Sequence, residues 1–143
     1  MSLCVLLFSC DKNIYALPIA KVVHVIWALE ITPIPEAPRI ISGIFDLHGK
    51  TIPVISLRRL LSLPEKNVEL EDTLIIVNVH EHQISLLSDH IIGVFELQVE
   101  DTTEAKELFP ELVMTQIVKY EDRLIPLLDI DSLIDNEIVH VGA

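Results

Sequence analysis

Basic residues are scarce in this 143-residue chain: 10 Lys and Arg stand against 22 Asp and Glu, a formal charge of −12. Such a balance repels a polyphosphate backbone and leaves no stripe for counterion release, which argues against nucleic acid and against an anionic membrane surface. Aromatic residues are only 5% although half the chain is hydrophobic. The core must therefore be built from Ile, Leu and Val, which suit a pleated surface. The two cysteines, Cys4 and Cys10, would sit six residues apart on one strand face, too far to pair with each other. A reduced, cytoplasmic setting is the expectation. No apolar run reaches the length of a membrane span, and Met1 to Phe8 has no basic region of a signal peptide, so direct membrane insertion is not expected.

What the chain does have is short apolar runs broken by polar clusters, from Val5–Ser9 through Ile14–Ile19, Val22–Ile26, Ile40–Leu47 and Thr51–Leu57 to Leu74–Val79, Ile84–Leu87, Ile91–Leu97, Met114–Tyr120 and Leu124–Leu128. This spacing reads as an all-β barrel or sandwich. Tight connections are expected at Asp11-Lys12-Asn13, His48-Gly49, Glu81-His82 and Glu121-Asp122. Short helices are expected at Leu57–Leu61, Thr103–Leu108 and Asp129–Ile134. The polar segment 64–72 reads as a linker, and its Glu69-Leu70-Glu71-Asp72 run as a solvated stretch.

The two halves resemble each other. Lys50-Thr51-Ile52-Pro53-Val54 is echoed by Arg123-Leu124-Ile125-Pro126-Leu127, and Val22-Val23-His24-Val25-Ile26 by Ile91-Ile92-Gly93-Val94-Phe95. Chance likeness among Ile-rich strands is the alternative to a duplicated unit of half the chain. On the duplicated reading, residues 1–140 form one domain of two β subdomains, about 1–63 and 72–136, with the first strand free to pair with the second subdomain. Pro53 and Pro126, lacking a ladder donor, are expected at corresponding edges or bends.

Catalytic patterns are missing. His80 and His82 could lend two ligands to a metal, but no third follows, and solvated turn residues are the rival reading. Asp89-His90 places an acid and a base on opposite faces of a strand. Ser42-Gly43 lacks the context of a nucleophile elbow, neither cysteine has a neighbouring base, and the four glycines are too scattered to hold a phosphate. No enzyme activity, metal or cofactor is expected. Apolar residues in excess of two small cores would join the subdomains or meet partners.

Several segments together resemble one family. Ile14-Tyr15-Ala16-Leu17-Pro18-Ile19 followed by Lys21-Val22, the long run from Ile34-Pro35 through Gly43-Ile44-Phe45-Asp46-Leu47-His48-Gly49 to Ile55-Ser56-Leu57, Leu86-Leu87-Ser88-Asp89-His90-Ile91-Ile92-Gly93-Val94, and Arg123 to Ile130 are similar, in order and spacing, to the motifs of CheW-like coupling proteins. The resemblance runs from about Leu3 to Ile134. It implies two five-stranded SH3-like barrels packed together, with a few short helices. It also implies a non-catalytic signal-transduction adaptor that couples the cytoplasmic tips of chemoreceptors to the regulatory domain of a CheA-type histidine kinase, in chemotaxis or a related motility pathway. The alternative is a diverged module of the same fold that binds another protein or a small ligand.

Carried over by position, the partner-binding candidates are Val22, His24, Gly43, His48, Leu74 and Ile75. Gly43 is either a contact or a site of close backbone approach. Val22, Leu74 and Ile75 are either interface or strand core. His48, where the family has Arg, is either a contact or a residue tolerated in a turn, and His24 stands where receptor-coupling members carry an acid. At His48 a permanent guanidinium is thus replaced by an imidazole that is largely neutral at pH 7.

Overall fold

Tight turns with left-handed backbone set the strand boundaries. Asp11 and Lys12, His48 and Gly49, and His80 and Glu81 pair positive φ values of 53° and 68°, 53° and 86°, and 49° and 68°. Two consecutive residues of this kind make the connection whose twist matches antiparallel strands. The third turn is thus His80-Glu81, one residue earlier than the sequence suggested, and His82 already opens a strand. The computed structural model describes residues 1–28, 30–100, 107 and 116–141. Its strands are β1 (Ser2–Cys10), β2 (Asn13–Pro18), β3 (Val22–Trp27), β4 (Ile41–Leu47), β5 (Lys50–Ser56), β6 (Thr73–Val79), β7 (His82–Ser88), β8 (His90–Glu100), β9 (Gln116–Tyr120) and β10 (Arg123–Leu127). Two helices follow corresponding hairpins, α1 (Leu57–Leu60) after β5 and α2 (Ile130–Val141) soon after β10. The helix expected at Thr103–Leu108 lies outside the described residues apart from Glu107.

One sheet closes into a barrel in the order β8-β1-β2-β10-β9, and the other runs β3-β6-β7-β5-β4. The two orders become identical when β1 to β5 are matched to β6 to β10. The duplication is therefore structural, but the lobes are not the two halves: each contains the first hairpin of one half and the last three strands of the other. Against the division at 1–63 and 72–136, β1 pairs with β8 of the second segment as that reading allowed, while β2, β6 and β7 also lie in the lobe of the other segment.

Connection length explains the exchange. β7 ends at Ser88, opposite Thr73, whereas a strand lying beside β6 as β3 does begins opposite Val77. That is about 14 Å along the sheet, besides the width of β6. Asp89 alone separates Ser88 from His90, a reach of only about 7 Å. The strand must therefore enter the other sheet.

The barrel closes because β8, at 11 residues, is long enough to pair with β1 and then, through Gln98 to Glu100, with β9. β3 has only 6 residues, and in its lobe the corresponding closure is a single bridge from Thr32 to Ile44. Pro53 and Pro126 correspond, each opposite an isoleucine of the preceding strand, Ile44 and Ile117. They lie in inner strands, contrary to the edge expectation. The ladder on their other side begins one residue later, at Val54 with Ser85 and Leu127 with Ala16.

β1 and β6 are buried on both faces. Val5 and Leu7 point into the barrel with Ala16, Val118, Ile125 and Leu127, while Leu6, Phe8 and Cys10 face a layer between the lobes. Leu74 and Ile76 fill the second lobe with Phe45, Ile52 and Val54, and Ile75, Val77 and Val79 join the layer between. This third core, continued by Leu57, Leu128, Ile130 and Ile134, absorbs much of the apolar excess. At about 25 cal/mol per Å² of apolar surface it joins the lobes into one body.

The segment 64–72 is only partly solvated. Asp72 is buried: its carboxylate accepts two bonds of 2.9 Å from Lys66 Nζ and one of 2.7 Å from the Glu69 amide. Its carbonyl accepts from Ala28 N–H at 2.8 Å, extending the ladder between β3 and β6. The acidic run thus ends in a satisfied structural carboxylate.

Candidate partner-binding site

The six positions carried over by resemblance do not converge. Leu74 and Ile75 are 0% exposed, because a strand covered on both faces leaves neither parity to solvent. They are core residues, out of reach of a partner while the lobe is folded. Gly43 is buried in β4 beside a register shift. A side chain there would collide with the Thr32 carbonyl and come within 2.8 Å of Ile31 Cγ2. Its role is the close backbone approach, which lets Thr32 and Ile44 exchange bonds of 2.8 and 2.9 Å. Gly43→Ala should therefore cost about 1–3 kcal/mol by overpacking, measured as a lower urea midpoint with unchanged m-value.

The other three remain accessible to different degrees. Val22 is half-buried and pairs with Val77; His24 is exposed opposite Ile76, after a bulge. His48 is exposed in the β4–β5 turn, where Asp46 Oδ2 accepts from Gly49 N–H at 3.4 Å. His24 thus lies on one outer strand of the second sheet, β3, and His48 in the turn that ends the other, β4.

The sequence reading passed over Trp27. The only tryptophan in the chain ends β3 and is 66% exposed. With Val25, Ile26, Glu71 and Thr73 it borders a cavity of about 380 Å³ that His90 and Ile91 close from β8. This is a groove where the lobes meet, walled by the two crossover strands. Further apolar side chains stand exposed on the same strands, Val23 on β3 and Ile92 and Val94 on β8. The signal was available in Val22–Trp27: an apolar strand without the lysine or proline that usually protects a sheet edge.

A second, larger concavity of about 700 Å³ lies beside α2. Ile40, Ile55, Val79, Ile84 and Ile134 supply apolar walls, and His80 and His82 stand at its rim. His80 Nε2 is 2.8 Å from Asp135 Oδ1 of α2, with both side chains about half exposed. Among the described residues no group of three or more His, Cys, Asp or Glu could hold a metal.

The buried titratable groups are structural. Burial first, and the Asp89 charge next, push the Cys10 thiol up to about 12, so it stays protonated and unreactive at neutral pH. Because the folded state holds this proton more tightly than the unfolded chain, Cys10 contributes fully below about pH 9 and its contribution is lost as pH rises toward 12. The slope is about 1.4 kcal/mol per pH unit at most. Unfolding of Cys10→Ala followed between pH 8 and 11 should show a flatter decline than the wild-type protein, whatever its starting stability.

Known proteins show the same architecture. Chemotaxis protein CheW of Bacillus subtilis is 28% identical over 135 residues, covering 92% of this chain and 86% of that protein. Chemotaxis protein CheW of Thermotoga maritima is 28% identical over 140 residues, 96% of this chain and 91% of that one. The crystal structure of the scaffolding protein TtCheW from Thermoanaerobacter tengcongensis superposes with a TM-score of 0.78 at 28% identity, over 93% of this chain and 92% of that chain. With the CheW-like domain matching residues 4–137, on two lobes that share their hairpins, the chain belongs to the CheW-like family.

Proposed function

We propose that this protein is a non-catalytic adaptor that couples chemoreceptors to a CheA-type histidine kinase in the cytoplasm, in chemotaxis or a related motility pathway. The match to the CheW-like domain over residues 4–137 carries the reading, and the physical form agrees with it. Two lobes joined through a continuous apolar core make a stiff body, and stiffness lets one molecule hold two partners at a fixed separation without the cost of ordering them at each encounter. The groove between β3 and β8, with Trp27 at its mouth, supplies aromatic and aliphatic surface of the kind that anchors interfaces. The kinase contact is assigned to its regulatory domain and the receptor contact to the cytoplasmic tip.

Calorimetric titration of the protein with the cognate kinase regulatory domain and, separately, with a receptor cytoplasmic fragment tests this. Binding of both is the expected result. No heat from either at concentrations on the order of tens of micromolar would overturn the adaptor role.

A further inference from the structure

The duplication relates the start of α1 to the start of α2. Ser56 Oγ accepts from Arg59 N–H at 3.2 Å, and Asp129 Oδ1 accepts from Ser132 N–H at 3.2 Å. Leu57 and Ile130, next in each chain segment, are both buried. The residues that follow, Arg58 and Asp131, are therefore counterparts, and each makes an ion pair that leaves its own lobe. Their charges are opposite. Asp131 Oδ1 lies 2.8 Å from Lys21 Nζ, immediately before β3. Arg58 Nη2 lies 2.8 Å from Asp89 Oδ2, immediately before β8.

Arg58 does more than its counterpart. Its Nη1 reaches Asp11 Oδ1 at 3.1 Å, in the β1–β2 turn of the barrel, and donates to the Pro64 carbonyl at 2.7 Å. Asp89 is held in turn: its carboxylate accepts from Asp11 N–H at 2.9 Å and its N–H donates to the Ser9 carbonyl at 3.0 Å. Arg58 and Asp89 side chains are 13% and 17% exposed, against 32% and 37% for Lys21 and Asp131. A planar fork that bridges Asp11 of the barrel and Asp89 at the crossover into it fixes direction as well as distance. The apolar layer beneath is non-directional and tolerates small rotations.

We propose that Arg58 is a positioning residue that sets the angle between the two lobes, and that coupling of the two partners depends on that angle more than binding of either does. The second clause rests on the adaptor reading above; the first does not.

Amide residual dipolar couplings of the full chain test the first clause. In the wild-type protein one alignment frame should fit the strands of both sheets, and in Arg58→Met the sheets should require frames rotated relative to one another. A single unchanged frame in Arg58→Met would overturn the proposal. Asp89→Asn, which keeps side-chain size and the amide bond to Ser9, serves with the same two outcomes if Arg58→Met does not fold. For the second clause, receptor-dependent kinase activation should fall by about tenfold while affinity for each isolated partner changes by less than about twofold. Activation falling only in proportion to a lost binary affinity would overturn it. If the wild-type protein binds neither partner, the adaptor reading fails and the couplings still decide the role of Arg58.

Discussion

Leu74→Asp is expected to unfold the protein, with the cooperative thermal transition lost at neutral pH. Leu74 is 0% exposed, with Ile26 and Leu87 as cross-strand neighbours and Phe45, Ile52, Val54 and Ile76 in its cluster. Removing the leucine alone, as in Leu74→Ala, costs about 2–5 kcal/mol in lost transfer energy and residual cavity. The carboxylate adds a second cost, because it would replace a fully buried side chain packed among Phe45, Ile52, Val54 and Ile76. It must either stay charged without a partner or take up a proton and remain an unsatisfied polar group. Against a net stability of about 5–15 kcal/mol for a domain, the sum leaves little or no native population. Circular dichroism on heating checks this, with Leu74→Ala as the milder comparison. A native-like transition in Leu74→Asp together with lost partner binding would instead make the residue a contact and would sink its placement in the core.

That placement also shows what the sequence could convey. Turn residues declare themselves locally, so Asp11-Lys12 and His48-Gly49 were legible, and the Ile-Pro echo at Pro53 and Pro126 disclosed a repeat that the strand order bears out. Which lobe each hairpin joins was not legible. That depends on the single residue Asp89 being too short to return a strand to its own sheet, a constraint visible only once strand ends are placed. Leu74 and Ile75 stayed ambiguous because an apolar residue on each parity of a strand can mean burial on both faces or one exposed interface. Arg58 was read only as part of a short helix, and its partners, Asp11 and Asp89, lie 47 and 31 residues away in the chain. Asp72 was misplaced among solvated acids because its partners, Lys66 and the Glu69 amide, depend on the turn's conformation. Trp27 was passed over because it falls just past the apolar run Val22–Ile26, which was read only as a strand.

Trp27→Thr is expected to weaken one of the two partner complexes by about 30-fold or more while leaving the fold intact. Tryptophan is enriched among interface residues whose truncation costs about 2 kcal/mol or more, which at 1.4 kcal/mol per tenfold is a loss of this size. The stability effect should be small, within about 0.5 kcal/mol, because the side chain is mostly in solvent and threonine keeps the strand preference of its position opposite Thr73. Leu124→Thr is the matched control. Leu124 is likewise 66% exposed and on a strand, but it does not border the groove between β3 and β8, so both affinities should be retained. The contrast separates a general need for apolar surface from a need for this groove. If both variants bind the kinase domain and the receptor fragment as the wild-type protein does, the contact lies elsewhere. If both lose affinity equally, scattered apolar surface rather than the Trp27 groove is what the partners use.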